Sequence, residues 1–394
     1  MVADLDARDA AAPQATLANW RQAPHSRWSF RNVRRLVPVA EIPRGDVAAC
    51  LPSGPALDLD RIAFAGPDGT RQAVTQLLAD SDTDGFIVLH RGAVVAERYD
   101  HGLTAQTPHI VFSISKSIAG AVAGILVDRG QLDPDAPVVT YVPEVAGSAY
   151  ERATVRHVLD MTVGIRFVEH YTDARGDFAR YRVAMGWNPP GEAVWDKGLH
   201  RFVASLPSDG TPHGEVFHYV SPNSDLLGWI LERASGKRFA TLMAEVLWQP
   251  MGAQADASIT VDRLGAPRTG GGICMTLRDL ARIGEMMRRD GQAGGRQVIP
   301  RAWIDDILDN GNPEAWARGD MADLVPGGRY RSQWYVPGPG RDVVCGIGIH
   351  GQWVYVDRAA DLVIAKQSSQ PLAVDDPLDH RLLAGFRAIA QALG

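Results

Sequence analysis

Two β-rich apolar runs flank His90-Arg91-Gly92 within Gly85–Tyr99 (GFIVLHRGAVVAERY), a pattern that predicts a β-hairpin. Farther on, Ile118–Val127 is an unbroken run of small apolar residues opened by Val111-Phe112-Ser113-Ile114-Ser115-Lys116-Ser117, and it reads as a buried helix. A proline-punctuated loop, Leu132–Glu144, follows. From residue 150 to about 260 the pattern is mostly helical, with Val155–Met161, Gly198–Leu206 and Ser224–Ala234 as its clearest segments. Thr276–Asp290 predicts a long helix and Pro300–Asp309 a shorter one. The chain closes with predicted strands at Cys345–Ile349, Gln352–Asp357 and Asp361–Gln367 and a helix from Leu378.

Strands near both ends with helices between them imply an α+β fold, in which one antiparallel sheet built from both termini carries an inserted helical subdomain. The expected divisions are an arm over residues 1–82, a sheet domain from 83–145 and 262–394, and a helical subdomain over 146–261. Rich in Pro, Ala and Asp, the arm offers short helical turns at most. It is expected to wrap the body, because Trp20, Trp28 and Phe30 need a surface to bury against.

Composition narrows the partners. The 394 residues are 45% hydrophobic and 22% charged, ordinary for a globular protein, and the net charge of −6 argues against nucleic acid or an anionic membrane as main partner. A small molecule is the expected partner. Met1–Trp20 carries three aspartates and no apolar core, so it does not read as a signal peptide. Ile118–Val127 is about half the length of a membrane span. Cys50, Cys274 and Cys345 are far apart and odd in number, which fits reduced, buried thiols in a cytoplasmic protein. Only four of the 40 basic residues are lysines.

One of those lysines, Lys116, lies one helical turn after Ser113. A serine hydroxyl is a poor nucleophile until a base takes its proton, and a lysine on the same helix face is such a base when burial depresses its pKa. Unpaired N–H groups at the helix start also suit a developing oxyanion. The plain alternative is a buried polar helix start. Other motifs fail their context. Gly346-Ile347-Gly348-Ile349-His350-Gly351 fits a dinucleotide-binding string, but Gln352–Asp357 continues as strand where a helix is required. Gly270-Gly271-Gly272 lacks the Gly-Lys-Ser/Thr of a phosphate loop, so a tight turn or close backbone approach is expected. With no His-Glu-x-x-His, Cys-x-x-Cys or Gly-x-Ser-x-Gly, neither a metal nor another cofactor is expected.

A second cluster, Phe217-His218-Tyr219-Val220-Ser221-Pro222-Asn223-Ser224, sets a tyrosine just before a helix. Ser-x-x-Lys, then Tyr-x-Ser, then the glycine strand Gly346–Ile349 resembles the serine β-lactamase and penicillin-binding superfamily. Ala153–Asp160 and Thr276–Arg282 look like recurring segments of that superfamily. Within it, the chain resembles the 6-aminohexanoate-dimer hydrolases, the nylon-oligomer amidases. The likeness runs from about Leu17 to the C-terminus, through Trp20–Trp28, the segment around Tyr171, Gly186-Trp187 and Gly346–Gln352.

The resemblance implies a β-lactamase-like body with its site between an antiparallel sheet and an all-α subdomain. It implies that Ser113 attacks an amide or ester carbonyl to give an acyl-enzyme, with Lys116 and Tyr219 sharing proton transfer in an order left open. The N–H groups of Ser113 and Ile349 would form the oxyanion hole. Tyr171 would close over substrate near the leaving nitrogen, and Ser221, standing where Asn is commoner, would hydrogen-bond Lys116. Tyr171 and Tyr219 read in isolation as packing tyrosines. His350 is either a pocket residue or a histidine held by structural hydrogen bonds, and Trp187 a pocket or loop-packing residue.

Departures bear on substrate. Gly346-Ile347-Gly348 replaces the Lys-Thr-Gly strand of true β-lactamases, removing the cation that helps hold a β-lactam carboxylate and arguing against antibiotic or wall-peptide chemistry. Where the nylon-oligomer enzyme has an acidic residue near the substrate's amino end this chain aligns Arg182, and Gly270 stands in place of an Asn or His. Charge reversal at Arg182 predicts weak action on the 6-aminohexanoate dimer with esterase activity retained. An amidase/carboxylesterase is the reading favoured. An amide-forming transacylase would be revealed by product partitioning toward an added amine. A non-catalytic binding protein is disfavoured because Ser113, Lys116 and Tyr219 are all present. The oligomeric state stays open, a homodimer included.

Overall fold

A computed structural model describes residues 14–67, 69–171, 175–190 and 197–394, so the first thirteen residues of the expected arm lie outside the described residues. The central sheet has seven strands: β1 (Thr83–His90), β2 (Ala93–Tyr99), β3 (Arg329–Arg331), β4 (Trp334–Val336), β5 (Val343–Gly348), β6 (Gln352–Asp357) and β7 (Leu362–Ser368). Their order is β3-β4-β5-β6-β7-β1-β2, antiparallel throughout, so N- and C-terminal segments meet where β1 pairs with β7. The β1–β2 turn is tight, with Arg91 and Gly92 both at positive φ (51° and 82°), as a two-residue hairpin requires.

Alternation along the strands divides two apolar layers. Ile87, Leu89, Val354, Val356, Val363 and Ala365 face one layer, while Phe86, Val88, Trp353, Tyr355 and Ile364 face the other. The helices that frame the site are α1 (Ile114–Asp128), α2 (Ser221–Ser235), α3 (Leu277–Arg288) and α4 (Asp376–Leu393). On the first face α3 lies across β7, β6 and β1, approaching so closely that a Cβ on Gly284 would come 2.5 Å from Val363. On the second, Phe386 of α4 packs edge-on to Trp353, with ring centroids 5.7 Å apart. α1 is buried along Ile114–Leu126, held between α2 and strands β4–β6. Its small residues make that possible, since a Cβ on Gly120 would sit 2.2 Å from the Ser332 carbonyl oxygen.

The sequence pattern misses several elements. Val39–Ile42, in the supposedly turn-only arm, is a strand of a second sheet ordered Val39–Ile42, Ala257–Thr260, Ile273–Met275, His109–Ile110. Val74–Asp80, also in the arm, is helical. Short aromatic-rich β3 and β4 were not foreseen. α2 starts three residues ahead of the predicted Ser224, because Pro222 with its fixed φ is accommodated in the first helical turn. Cys274 and Cys345 are buried free thiols as expected, whereas Cys50 is exposed. Among the described residues no helix is long and apolar enough to cross a membrane. Gly120→Ala should force α1 off the Ser332 backbone and cost about 1–3 kcal/mol of stability in denaturant titration. A wild-type midpoint would mean that the helix shifts freely.

Candidate active site

The second sheet positions Ser113, the candidate nucleophile. His109–Ile110 leads into Val111, whose N–H donates to the Ile273 carbonyl (2.9 Å), and Phe112 then turns the chain at a positive φ of 43°. That conformation is rare for an aromatic residue and marks local strain at the turn into α1. Ser113 follows as the residue capping α1, yet its hydroxyl makes no capping bond. It is left for Lys116. The Lys116 ammonium donates to Ser113 Oγ (2.8 Å), Ser221 Oγ (3.0 Å) and the Gly270 carbonyl (2.6 Å).

Burial brings the Lys116 amine down to about 7; the Glu169 and Asp225 carboxylates pull upward and Arg268 pushes downward. Glu169 accepts from the Ser221 N–H (2.7 Å), from Ser221 Oγ (2.8 Å) and from the Tyr171 hydroxyl (2.8 Å). A carboxylate at the start of α2 also meets the positive end of its dipole. Tyr219, just ahead of α2, lines the smaller compartment beside Ser113 and Tyr335, and its ring centroid lies 4.9 Å from Lys116 Nζ. Burial, reinforced by Glu169, raises its phenol pKa.

Beyond β5, Ile349 begins a turn clamped from several sides. Gln352 Nε2 donates to the His350 carbonyl (3.0 Å), the His350 N–H to Ala373 (2.9 Å), and His350 Nδ1 pairs with the Gln370 carbonyl (2.8 Å). Lys366 reaches the Gly351 carbonyl (3.1 Å) from beneath. Among the described residues the N–H groups of Ser113 and Ile349 donate to no protein acceptor. Gly348 must be bare, since a Cβ there would meet the Val111 carbonyl oxygen at 2.6 Å.

Two compartments meet at Ser113, Glu169, Tyr171, Ile349 and Ala373. One, of about 520 Å³, is lined by Arg21, Arg182, Trp187, Ser221, Gly270 and His350 among others. The other, of about 350 Å³, includes Tyr219, Tyr335, Gly348 and several aspartates. All eleven residues singled out from the sequence thus reach one locus: Lys116 through its bonds to Ser113, Ser221 and Gly270, and the other ten as lining. Trp187 lines the larger compartment while its indole N–H bonds Thr260 Oγ1 (3.1 Å). His350 both lines it and is structurally held, and burial takes its imidazole down to about 4, leaving it neutral. Arg182 donates to the Tyr171 carbonyl (3.1 Å).

Sequence reasoning missed Arg21 as a lining residue, and also Glu169, Asp225, Arg268 and Tyr335. Both Asp225 oxygens accept from Arg268 Nη1 at 2.8 Å, and one also takes the Gly270 N–H (2.8 Å). This buried pair fixes the glycine turn whose carbonyl bonds Lys116. A Cβ on Gly270 would lie 2.0 Å from Arg268 Nη1, so any side chain there must displace the guanidinium. No local spacing announces such partners; Glu169, two residues before Tyr171, was the nearest hint.

The model of the Beta-lactamase family matches residues 70–386. The chain belongs to that family. This beta-lactamase-family hydrolase is 39% identical over 362 residues to the 6-aminohexanoate-dimer hydrolase of Paenarthrobacter ureafaciens, covering 92% of this chain and 90% of that one. A Bacillus anthracis structure provisionally named 6-aminohexanoate-dimer hydrolase superimposes with a TM-score of 0.88 at 26% identity, over 96% of this chain and 97% of that one. A family VIII carboxylesterase shares the fold, with a TM-score of 0.59 at 18% identity over 85% of this chain and 99% of that one. Asp225→Ala should leave Arg268 buried without its counter-charge and destabilise the protein by about 3–5 kcal/mol in chemical denaturation. A change below about 1 kcal/mol would show that water reaches Arg268 and compensates the loss.

Proposed function

We propose that this beta-lactamase-family enzyme cleaves amide or ester bonds of small linear substrates through an acyl-enzyme on Ser113. The observation that carries the reading is the 2.8 Å contact between Ser113 Oγ and a buried lysine whose amine is lowered to about 7. Neutral Lys116 keeps two N–H donors for Ser221 Oγ and the Gly270 carbonyl and turns its lone pair to Ser113. As Oγ bonds the substrate carbonyl carbon, the Ser113 proton passes to Lys116, and the carbonyl electron pair moves onto oxygen facing the N–H groups of Ser113 and Ile349. Collapse breaks the bond to the leaving nitrogen or oxygen. Tyr219, kept as a phenol by its raised pKa, passes that atom a proton, with Lys116 resupplying it. Water then attacks the acyl-enzyme by the reverse proton route and releases the acid.

The 39%-identical relative named for the 6-aminohexanoate dimer supports linear amides as the substrate class. Free cysteines are in keeping with a cytoplasmic place of work. After brief exposure to a p-nitrophenyl acyl ester, intact-protein mass spectrometry should find one acyl group on Ser113. Ser113→Ala should lose the adduct and turnover by on the order of 10⁴-fold or more with the fold kept; retained turnover would overturn the nucleophile. Since only the neutral amine accepts a proton, kcat/KM should fall as pH drops through about 7, the value at which burial sets Lys116. Glu169→Gln removes a charge that raises Lys116, so this acid limb should move to lower pH; an unmoved limb would exclude Lys116 as the titrating base.

A further inference from the structure

The larger compartment carries an unusual balance of charge. Three guanidinium groups, Arg21, Arg182 and Arg268, line it against one carboxylate, Glu169. Glu169 is already occupied by Ser221 and Tyr171, and the Arg268 charge is matched by Asp225. Arg21 differs. Among the described residues its hydrogen bonds go only to neutral acceptors, Nη1 to the Trp187 carbonyl (3.1 Å) and Nη2 to Asn188 Oδ1 (2.5 Å). Its guanidinium carbon lies 5.0 Å from the Trp20 ring centroid and 5.8 Å from that of Trp187, so the side chain is braced before any ligand arrives. Of five N–H donors two are used.

We propose that this compartment takes a carboxylate borne by the substrate, with Arg21 as its anchor. The inference rests on the acyl-enzyme reading and names a specificity-determining residue of that site, Arg21, which favours substrates presenting a carboxylate rather than an ammonium group to this compartment. A guanidinium fork fits a carboxylate in a bidentate manner that it cannot offer an ammonium group. The field of the compartment agrees, since burial, then Arg182 and Arg268, drive Arg21 down to about 9 while leaving it charged at neutral pH. Across Ser113 the smaller compartment is lined by Asp320, Asp323, Asp376 and Asp379 against one imidazole, His218, which pairs with Asp320 at 2.9 Å, so its balance is acidic and repels the same group. The substrate carboxylate therefore has one side to occupy. Burial also raises Asp379 to about 7, so part of that acidic wall is neutral at pH 7 without becoming attractive to anions.

The test uses two matched sets of linear substrates that end in carboxylate, methyl ester or ammonium. One set carries the group on the acyl part and the other on the leaving part, each in several lengths. In one of the sets the carboxylate compound should show the highest kcat/KM, with a KM that rises with salt more than that of its neutral isostere. Arg21→Gln should reduce the carboxylate-over-neutral preference by about 30-fold or more, chiefly through KM, and Arg21→Lys should restore part of it. Should R21Q not fold, the salt dependence and R21K still decide. Equal rates for all three end groups, or a preference untouched by R21Q, would overturn the anion site while Ser113-dependent hydrolysis of the neutral ester keeps the acyl-enzyme reading. No Ser113-dependent hydrolysis of any compound would overturn both.

Discussion

Burial of one lysine amine organises this molecule. Lys116 is 1% exposed, and an ammonium taken out of water must find acceptors or lose its proton. Its three acceptors come from separate parts of the chain: Ser113 from its own helix, Ser221 from the start of α2, and the Gly270 carbonyl from the turn before Ile273–Met275. To bring them within 3.0 Å, α1 must be sunk between sheet and helices, and that demands small residues along it. Gly120 against the Ser332 carbonyl and Gly124 against the Trp303 ring are where it comes closest. The fold around α1 thus sets a serine hydroxyl against an amine that burial lowers to about 7.

The surrounding charges are graded. Glu169 holds Ser221 and Tyr171 and tempers the downward shift of Lys116, while Asp225 pins Arg268 and through it the glycine turn. A buried ion pair of this kind gives little net stability but specifies geometry, because losing either partner strands a charge. The same logic recurs under the Ile349 turn, where burial also lowers Lys366 to about 7 and its amine meets the Gly351 carbonyl. Two of the four lysines are therefore buried within the site or directly beneath it.

Family membership and substrate preference separate here. The backbone closely follows that of the Bacillus anthracis structure, at a TM-score of 0.88. Which molecules the cleft admits depends on the side chains around its rim, because one fold hosts many functions. Arginines on one side of Ser113 and aspartates on the other give the cleft a polarity.

Much of this was legible in the sequence. The hairpin and the Gln352–Asp357 strand follow from short apolar runs that bury on both faces of the sheet, and the α3 helix from its amphipathic 3.6-residue period. Ser113 and Lys116 are legible because three residues of helix put them on one face whatever surrounds them. Strands β3, β4 and Val39–Ile42 were not, since segments of three or four residues show no period and owe their conformation to the neighbours they pair with. Nor could the sequence give the state of Lys116, the reach of Glu169, the match of Arg268 with Asp225 or the charge left on Arg21. A side chain's protonation and partners are set by groups tens to hundreds of residues away, and only the tertiary structure decides how near they come.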